Sequence, residues 1–487
     1  MKNAVDFDKV YRRLPVKILD YEATNGVLIL DGDQTVLQTS GVPFHLQEIK
    51  DENGWFDLRI AGPDGKIMLL HNAILLSSTS HHTTKGEPNS HSAEIYPNFL
   101  IDDIRGLDSN RRVRRVIFRI TGLRNFFYYR HVEPLLRFSG SDEQISFLRS
   151  MRISELDPKE PFNPENVYVA HNYPVYFSIR IEGRTHEVYA GGHETFGLHK
   201  IAYEAIPTAS ISFDEPINFD DAIGHALSWR RLFSQLAMMP LGIEELSVQG
   251  ENSRESPVAD VYLTNSAHEQ WSTKDYYSLS PREQPFNEWD SRKALGEVHR
   301  KWLEKEPSRR RFRIALDKVL EELVERSDAS QLLALSAAIE GLKELGEAND
   351  FPVETIREMA IAAQKVSEDG GYPIPLDRIL GLLGSIARPS LAHKITALGS
   401  RTAAKPDEVA LICKAAVRVR NLSAHGGQTT EQKWPIVSPT VRALAALCAR
   451  FDLETCGFPA RSEITDLMPV IWQHDSVEEL KRYLAPD

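Results

Sequence analysis

The sequence predicts an α+β fold in two unlike halves, and three observations carry the prediction. Up to about residue 275, short apolar runs alternate with Asn-Gly, Asp-Gly and Pro-Asp-Gly turns. Residues 266–288 are polar and include Pro281 and Pro285, the composition of a linker. Beyond them, apolar residues recur at the spacing of packed helices. The expected organisation is a β-rich domain over 1–275 and an all-α helical bundle over 289–487, with its core near 328–452.

In the first half, Val27–Leu30 is opened by Asn25-Gly26 and closed by Asp31-Gly32. Trp55–Ile60 and Lys66–Leu70 flank Pro63-Asp64-Gly65, the composition of a hairpin turn. Arg111–Ile120 is read as a strand; Val175–Ile181 alternates, then turns at Glu182-Gly183 into Thr185–Ala190. One helix interrupts this half, from about Phe219 to Met239, with Ile223, Ala226, Leu232, Phe233 and Leu236 on its apolar face. In the second half helices are expected over 291–306, 309–326, 329–346, 353–367, 376–386, 406–424 and 437–451. Asp328 and Gln331 open the third as a capping box, and Leu332, Leu335, Ile339 and Leu342 form its stripe. The 406–424 helix starts on Pro406, Asp407 and Glu408, which suit the positive end of a helix dipole. It stops at Gly426-Gly427.

A chain of 487 residues with 42% hydrophobic content is large enough for two or three domains. The net charge of −12 and pI near 5.8 exclude a general nucleic-acid coat, so any RNA contact requires a local basic cleft. Arg309, Arg310, Arg311 and Arg313 are the candidate RNA-binding cluster. In the β-rich half, Arg111, Arg112, Arg114, Arg115 and Arg119 precede Phe126, Phe127, Tyr128 and Tyr129, which make either a stacking platform or core. Cys413, Cys448 and Cys456 form no disulfide framework and no metal-ligand spacing, which fits a reducing cytoplasm. His71, His81, His82 and His91 read as exposed loop histidines, and His193 and His199 lack zinc-protease spacing, so no metal or cofactor is expected. The first residues, MKNAVDFDKVYRRLP, have no signal-peptide core, and no apolar run spans a bilayer, so the expected location is cytoplasmic, without a membrane partner.

The chemistry is carried by 420–427 (RNLSAHGG). Arginine followed within a few residues by histidine recurs at Arg124/His131, Arg180/His186, Arg292/His299, Arg388/His393 and Arg418/His425, so context must select. The Arg124 copy lies in strand and turn, and Arg180/His186 brackets a hairpin turn. Pro389 interrupts the Arg388 copy, and Arg292/His299 reads as an exposed, charge-rich helix face. Arg420 closes a well-formed helix. Its helical angle places it on the stripe of Val409, Ile412, Cys413 and Ala416, while Lys414 and Arg418 fall opposite. A guanidinium there requires a partner, a ligand or a second subunit. His425 is five residues on and joins Arg420 only if the backbone leaves the helix or a second chain contributes. Histidine suits proton transfer near neutral pH, an arginine fork suits a charged phosphorane, and Asn421 suits orienting either.

Two stretches, 418–426 (RVRNLSAHG) and 332–342 (LLALSAAIEGL), carry a resemblance to the HEPN superfamily and, more narrowly, to ApeA-like anti-phage proteins. The helix around 226–233 (ALSWRRLF), after a β-rich stretch, is similar in texture to the same family's N-terminal half. The resemblance implies a metal-independent endoribonuclease acting in abortive infection, with tRNA the substrate class and a phage-derived trigger. It implies that Arg420, Asn421 and His425 are catalytic, that Glu340 is a candidate supporting residue, and that the chain forms a homodimer or larger homo-oligomer. For Glu340 the alternative is a solvated glutamate at the edge of its stripe. The alternatives for the domain are a non-catalytic RNA- or nucleotide-binding module, or a dimerisation scaffold.

Overall fold

The computed structural model describes residues 12–484 except 21–24, 32–33, 42–51, 53, 83–87, 103, 105–106, 108–110, 124–125, 127–131, 138–165, 171–174, 198–199, 239, 252–257, 265–288, 323–328, 347–352, 387–389, 425–434 and 459–469. Six strands come first: β1 (Arg12–Ile18), β2 (Asn25–Leu30), β3 (Val36–Gly41), β4 (Phe56–Ala61), β5 (Ile67–His82) and β6 (Pro88–Asp102). Their antiparallel order β6-β3-β2-β1-β4-β5 returns to β6, because β5 also pairs with β6, so the six strands close into a barrel. Closure removes the free edges that the six strands would otherwise present. The alternation of β4, buried at Phe56, Leu58 and Ile60, points every second side chain inward. Leu28, Leu37, Leu70 and Ile95 complete a barrel core distinct from the rest of the molecule. Gly26 is required in this wall: a Cβ there would lie 2.8 Å from the Leu37 side chain and 2.9 Å from the Gln38 carbonyl.

β6 also joins the barrel to a second sheet. One edge of its first half pairs with β3, and the same edge of its second half pairs with β14 (Ala259–Leu263). Next to β14 stand β13 (Ile243–Gly250), β7 (Arg112–Ile120), β12 (Lys200–Asn218), β11 (Arg184–Gly197) and β10 (Val175–Ile181), all antiparallel. A separate two-stranded ladder joins β8 (Val132–Arg137) and β9 (Asn166–Ala170). The hairpin expected at Glu182-Gly183 is present, with both residues at positive φ (47° and 74°), the conformation of a type I′ turn. Two arginines of β7 are engaged within the sheet: Arg119 pairs with Glu245 at 2.9 Å and Arg115 donates to Ser210 at 3.1 Å. Phe126 is core, 5.1 Å from Phe233; Phe127, Tyr128 and Tyr129 lie outside the described residues.

Helix α1 (Phe219–Ala237) lies on this sheet, started by Asn218, whose side chain accepts from the Asp221 N–H. At its N-terminus the structure corrects one expectation. His71 is no loop residue: it is buried on β5, with Nδ1 2.8 Å from Asp57 and Nε2 3.0 Å from Asp220 of α1. Arg111 also pairs with Asp57, and Asn72 donates to both carboxylates. Burial opposes the charge on His71, but its bonds to Asp220 and Asp57 outweigh burial and raise its pKa. Burial likewise opposes charge on Asp57, yet His71 and Arg111 hold its carboxyl at about 2. The clasp ties barrel to helix, and its pH sense follows. The His71 share is fully present below the ordinary histidine pKa and is lost as pH rises through the raised value. The stability advantage of wild type over His71→Asn is therefore expected to be larger at pH 6 than at pH 9 in urea melts. An equal or reversed advantage contradicts the clasp.

The second half is helical. It comprises α2 (Trp289–Glu322), α3 (Ala329–Glu340), a 3₁₀ turn (Lys343–Leu345), α4 (Val353–Asp369), α5 (Leu376–Ile386), α6 (Leu391–Gly399), α7 (Pro406–Ala424), α8 (Val437–Thr455) and α9 (Val470–Leu484). The helices expected over 291–306 and 309–326 are one helix of 34 residues with Pro307 inside it. Both segments bury side chains in one core, Leu295, Val298 and Trp302 before the proline and Phe312, Leu316 and Val319 after it. Arg313 donates to the Trp302 carbonyl near the disrupted turn, at 2.8 Å. α6 and α9 are additions to the expected helices, and Asp328 of the expected capping box lies outside the described residues.

The two halves share one hydrophobic core that runs from the second sheet through α1 and α2 to α9. α2 packs on α1 and on β10, where Gly296 comes so close that a Cβ would lie 3.3 Å from Ile179. His299, read as exposed, is instead buried in this seam. Its Nε2 lies 3.2 Å from Nδ1 of His186 on β11, which accepts from Trp229 Nε1 of α1 at 3.0 Å. Trp302 Nε1 donates to Ser228 of α1 at 3.0 Å. Arg230 pairs with Asp317 and with Glu321, and Arg231 with Glu306 at 3.1 Å. Among the described residues no helix is long and apolar enough to cross a membrane.

Candidate active site at the end of helix α7

α7 begins where its sequence signals place it, with Asp407 and Glu408 in the first turn. Val409, Ile412, Ala415, Ala416 and Val419 are buried, and Arg418 is exposed. The buried stripe is thus centred nearer the alanines than expected, and Arg420 lies at its edge rather than in its middle. The helix seats closely on the end of α6 because residue 399 is glycine; a methyl group there would collide with Val409.

Arg420 is 37% exposed, and its Nη2 lies 2.8 Å from Oε1 of Glu340, the last residue of α3. The structure therefore brings together two of the expected site residues from 80 positions apart in the chain. An ion pair this exposed contributes about 0–1 kcal/mol to stability. What it does contribute is orientation, since the carboxylate takes up one part of the guanidinium. Among the described residues no other side chain bonds to Arg420. Asn421 and Leu422 are exposed beside it. His425 lies outside the described residues, as do Gly426 and Gly427.

The segment that carries Glu340 is pinned from behind. Lys394 of α6 donates to the carbonyls of Glu340 (2.5 Å) and Leu342 (3.0 Å). Arg401 donates to the Glu344 carbonyl at 2.7 Å, and Arg309 grips the Glu344 carboxylate with Nε and Nη2 at 2.5 and 2.7 Å. This places the basic cluster differently from the expectation. Arg309 and Arg313 are fully buried. Both bond to Asp452 of α8, and Arg313 also to Glu306, with its guanidinium stacked 3.5 Å from the centroid of Trp302. They cannot touch RNA, because their forks are filled by carboxylates and closed off from solvent. Arg310 and Arg311 remain exposed on the other face of α2. Sequence reasoning missed Lys394 and Asp452; a lysine at the fourth position of a short helix and an aspartate inside an alanine-rich one were the available signals.

A family model described as ApeA N-terminal domain 1 matches residues 20–302, more than half of the chain. Neither the curated proteins nor the solved structures contain a significant match. The matched span covers the barrel from β2 onward, the second sheet, α1 and the first part of α2, and so ends at Trp302, inside the seam. By that match the chain belongs to the ApeA N-terminal domain 1 family, as an ApeA-like anti-phage defence protein.

Proposed function

We propose that the helical half is a HEPN-type ribonuclease effector that stops infection by cutting host RNA, with tRNA as the substrate class. The observation that carries the reading is the Arg420–Glu340 pair: a guanidinium oriented by a carboxylate, partly open to solvent, five residues before a histidine. In the proposed step the substrate 2′-oxygen attacks the adjacent phosphorus and gives its proton to a base. The P–O5′ bond breaks, and an acid protonates the departing 5′-oxygen. Arg420 stabilises the charge on the phosphorane and Asn421 orients the imidazole or a phosphate oxygen. One histidine does not easily act as base and acid in a single step, so two copies of His425 facing one cleft of a homodimer are the assembly proposed. Exposed apolar side chains on α4 and the turn after it, Met359, Ile361, Val366 and Tyr372, offer surface for self-association.

The test is sequencing of RNA ends after induced expression, wild type against His425→Ala and Arg420→Ala. Wild type is expected to generate discrete cuts ending in 2′,3′-cyclic phosphate and 5′-hydroxyl, which persist in chelator when purified protein is used. Both variants are expected to fold and to lose the cuts. Mixing the two inactive chains is expected to restore part of the activity. Cleavage by folded His425→Ala protein, or 5′-phosphate products, overturns the reading.

A further inference from the structure

Lys394 stands out among the buried charges because, among the described residues, no carboxylate bonds to it. The residue is 6% exposed, and its ammonium donates to the carbonyls of Glu340 and Leu342. The Glu340 carbonyl ends α3, at the negative end of its dipole, and the Leu342 carbonyl belongs to the turn that follows, where it also accepts from the Leu345 N–H. A neutral donor would satisfy two carbonyls at a lower desolvation cost than a cation. The feature that favours a positive charge here is the carboxylate of Glu340 itself, on the residue whose carbonyl the lysine holds. Glu340 in turn holds Arg420. The glutamate is thus fixed at its backbone by Lys394 and engaged at its carboxylate by Arg420, and the following turn is locked by Arg309 and Arg401.

We propose that Lys394 is a positioning residue for RNA cleavage: it anchors the end of α3 so that Glu340 presents the Arg420 guanidinium to the scissile phosphate. The proposal rests on the ribonuclease reading above. Lys394 touches no substrate and moves no proton. It acts through Glu340, so removing the lysine and removing the glutamate's charge should damage the same thing. A displacement of the order of 1 Å in a phosphate-binding group is enough to slow a reaction severely.

The experiment uses full-length protein and total tRNA under single-turnover conditions, with Lys394→Met, Lys394→Gln, Lys394→Arg, Glu340→Gln and the Lys394→Gln/Glu340→Gln double variant. Lys394→Met and Lys394→Gln are each expected to slow cleavage by about tenfold or more. Glu340→Gln should match them, the double variant should be no slower than the slower single one, and Lys394→Arg should recover most of the rate. A purely structural lysine would instead give losses that multiply in the double variant. Multiplying losses, or a folded Lys394→Gln protein that cuts at the wild-type rate, overturns the proposal. Lys394→Gln keeps a donor for the carbonyls, so it serves if Lys394→Met does not fold. The same variants are unfolded in urea. If wild type cuts no tRNA, the ribonuclease reading falls and the role of Lys394 in cleavage falls with it; the urea midpoints then decide only the anchoring of Glu340, which non-additive shifts for Lys394→Gln and Glu340→Gln support and additive shifts overturn.

Discussion

Asp452→Ala is expected to cost about 3–5 kcal/mol of folding stability, a large share of what a domain has to spare. Asp452 is fully buried in α8. It accepts from Arg309 Nη1 at 2.7 Å and from Arg313 Nε and Nη2 at 2.7 and 3.0 Å. Burial raises a carboxyl pKa, but the two guanidinium groups outweigh it and hold this one below the ordinary range. Alanine would strand two cations in the core. Glu344 and Glu306 would still bond to them, but the shared counter-charge would be gone. Urea unfolding should show a lower midpoint with an unchanged slope. Asp452→Asn, which keeps the shape and loses the charge, should fall between. A shift below about 1 kcal/mol for alanine would mean that the arginines find other partners.

Acid should loosen the seam between the halves, and His186 should account for about 2 kcal/mol of the loss at pH 5, with His299 adding to it. Burial pushes the His186 pKa down to about 3, and burial pushes His299 well below its ordinary value, with the neighbouring His186 acting the same way. Both are neutral in the fold. In the unfolded chain each takes up a proton below its ordinary pKa near 6.5. The unfolded state therefore binds more protons, and stability is present above that value and lost as pH falls from 6.5 toward 3. Comparing wild type with His299→Leu at pH 7 and pH 5 cancels the titration of the groups they share. The leucine variant should lose less stability than wild type over that interval. Equal losses would show that His299 takes a proton without breaking its packing.

These two sites mark where the sequence was readable and where it was not. The start of α7 follows from Pro406, Asp407 and Glu408, because helix starts are local chemistry. The hairpins at Pro63-Asp64-Gly65 and Glu182-Gly183 are local in the same sense. Arg309 and Arg313 were misread because a run of four arginines in five positions reads as surface, while its counter-charge, Asp452, lies 139 and more residues away. Arg420 was placed too deep because the expected stripe took in Cys413, which is only half-buried, and left out Ala415 and Val419, which pack against the core. His299 and His71 were misplaced for one reason: their partners come from β11 and α1, which no spacing rule connects to them. Barrel closure through β5 and β6 is equally non-local. α6 has nine residues, too few to display a period.

The long helix α2 also bears on how such proteins diversify. At 34 residues it measures about 51 Å, and the family match ends partway along it. A recombination event that exchanged the second half at that boundary would cut beside Trp302, which is fully enclosed by Ser228 on one side and Arg313 on the other. The newcomer would have to supply an arginine of the right reach and a matching apolar stripe. A join beyond residue 322 keeps the contacts of α2 to α1, but it parts Arg309 and Arg313 from Asp452. A domain grafted there must bring an acid to the place of Asp452 and dock on a helix that the first half already owns.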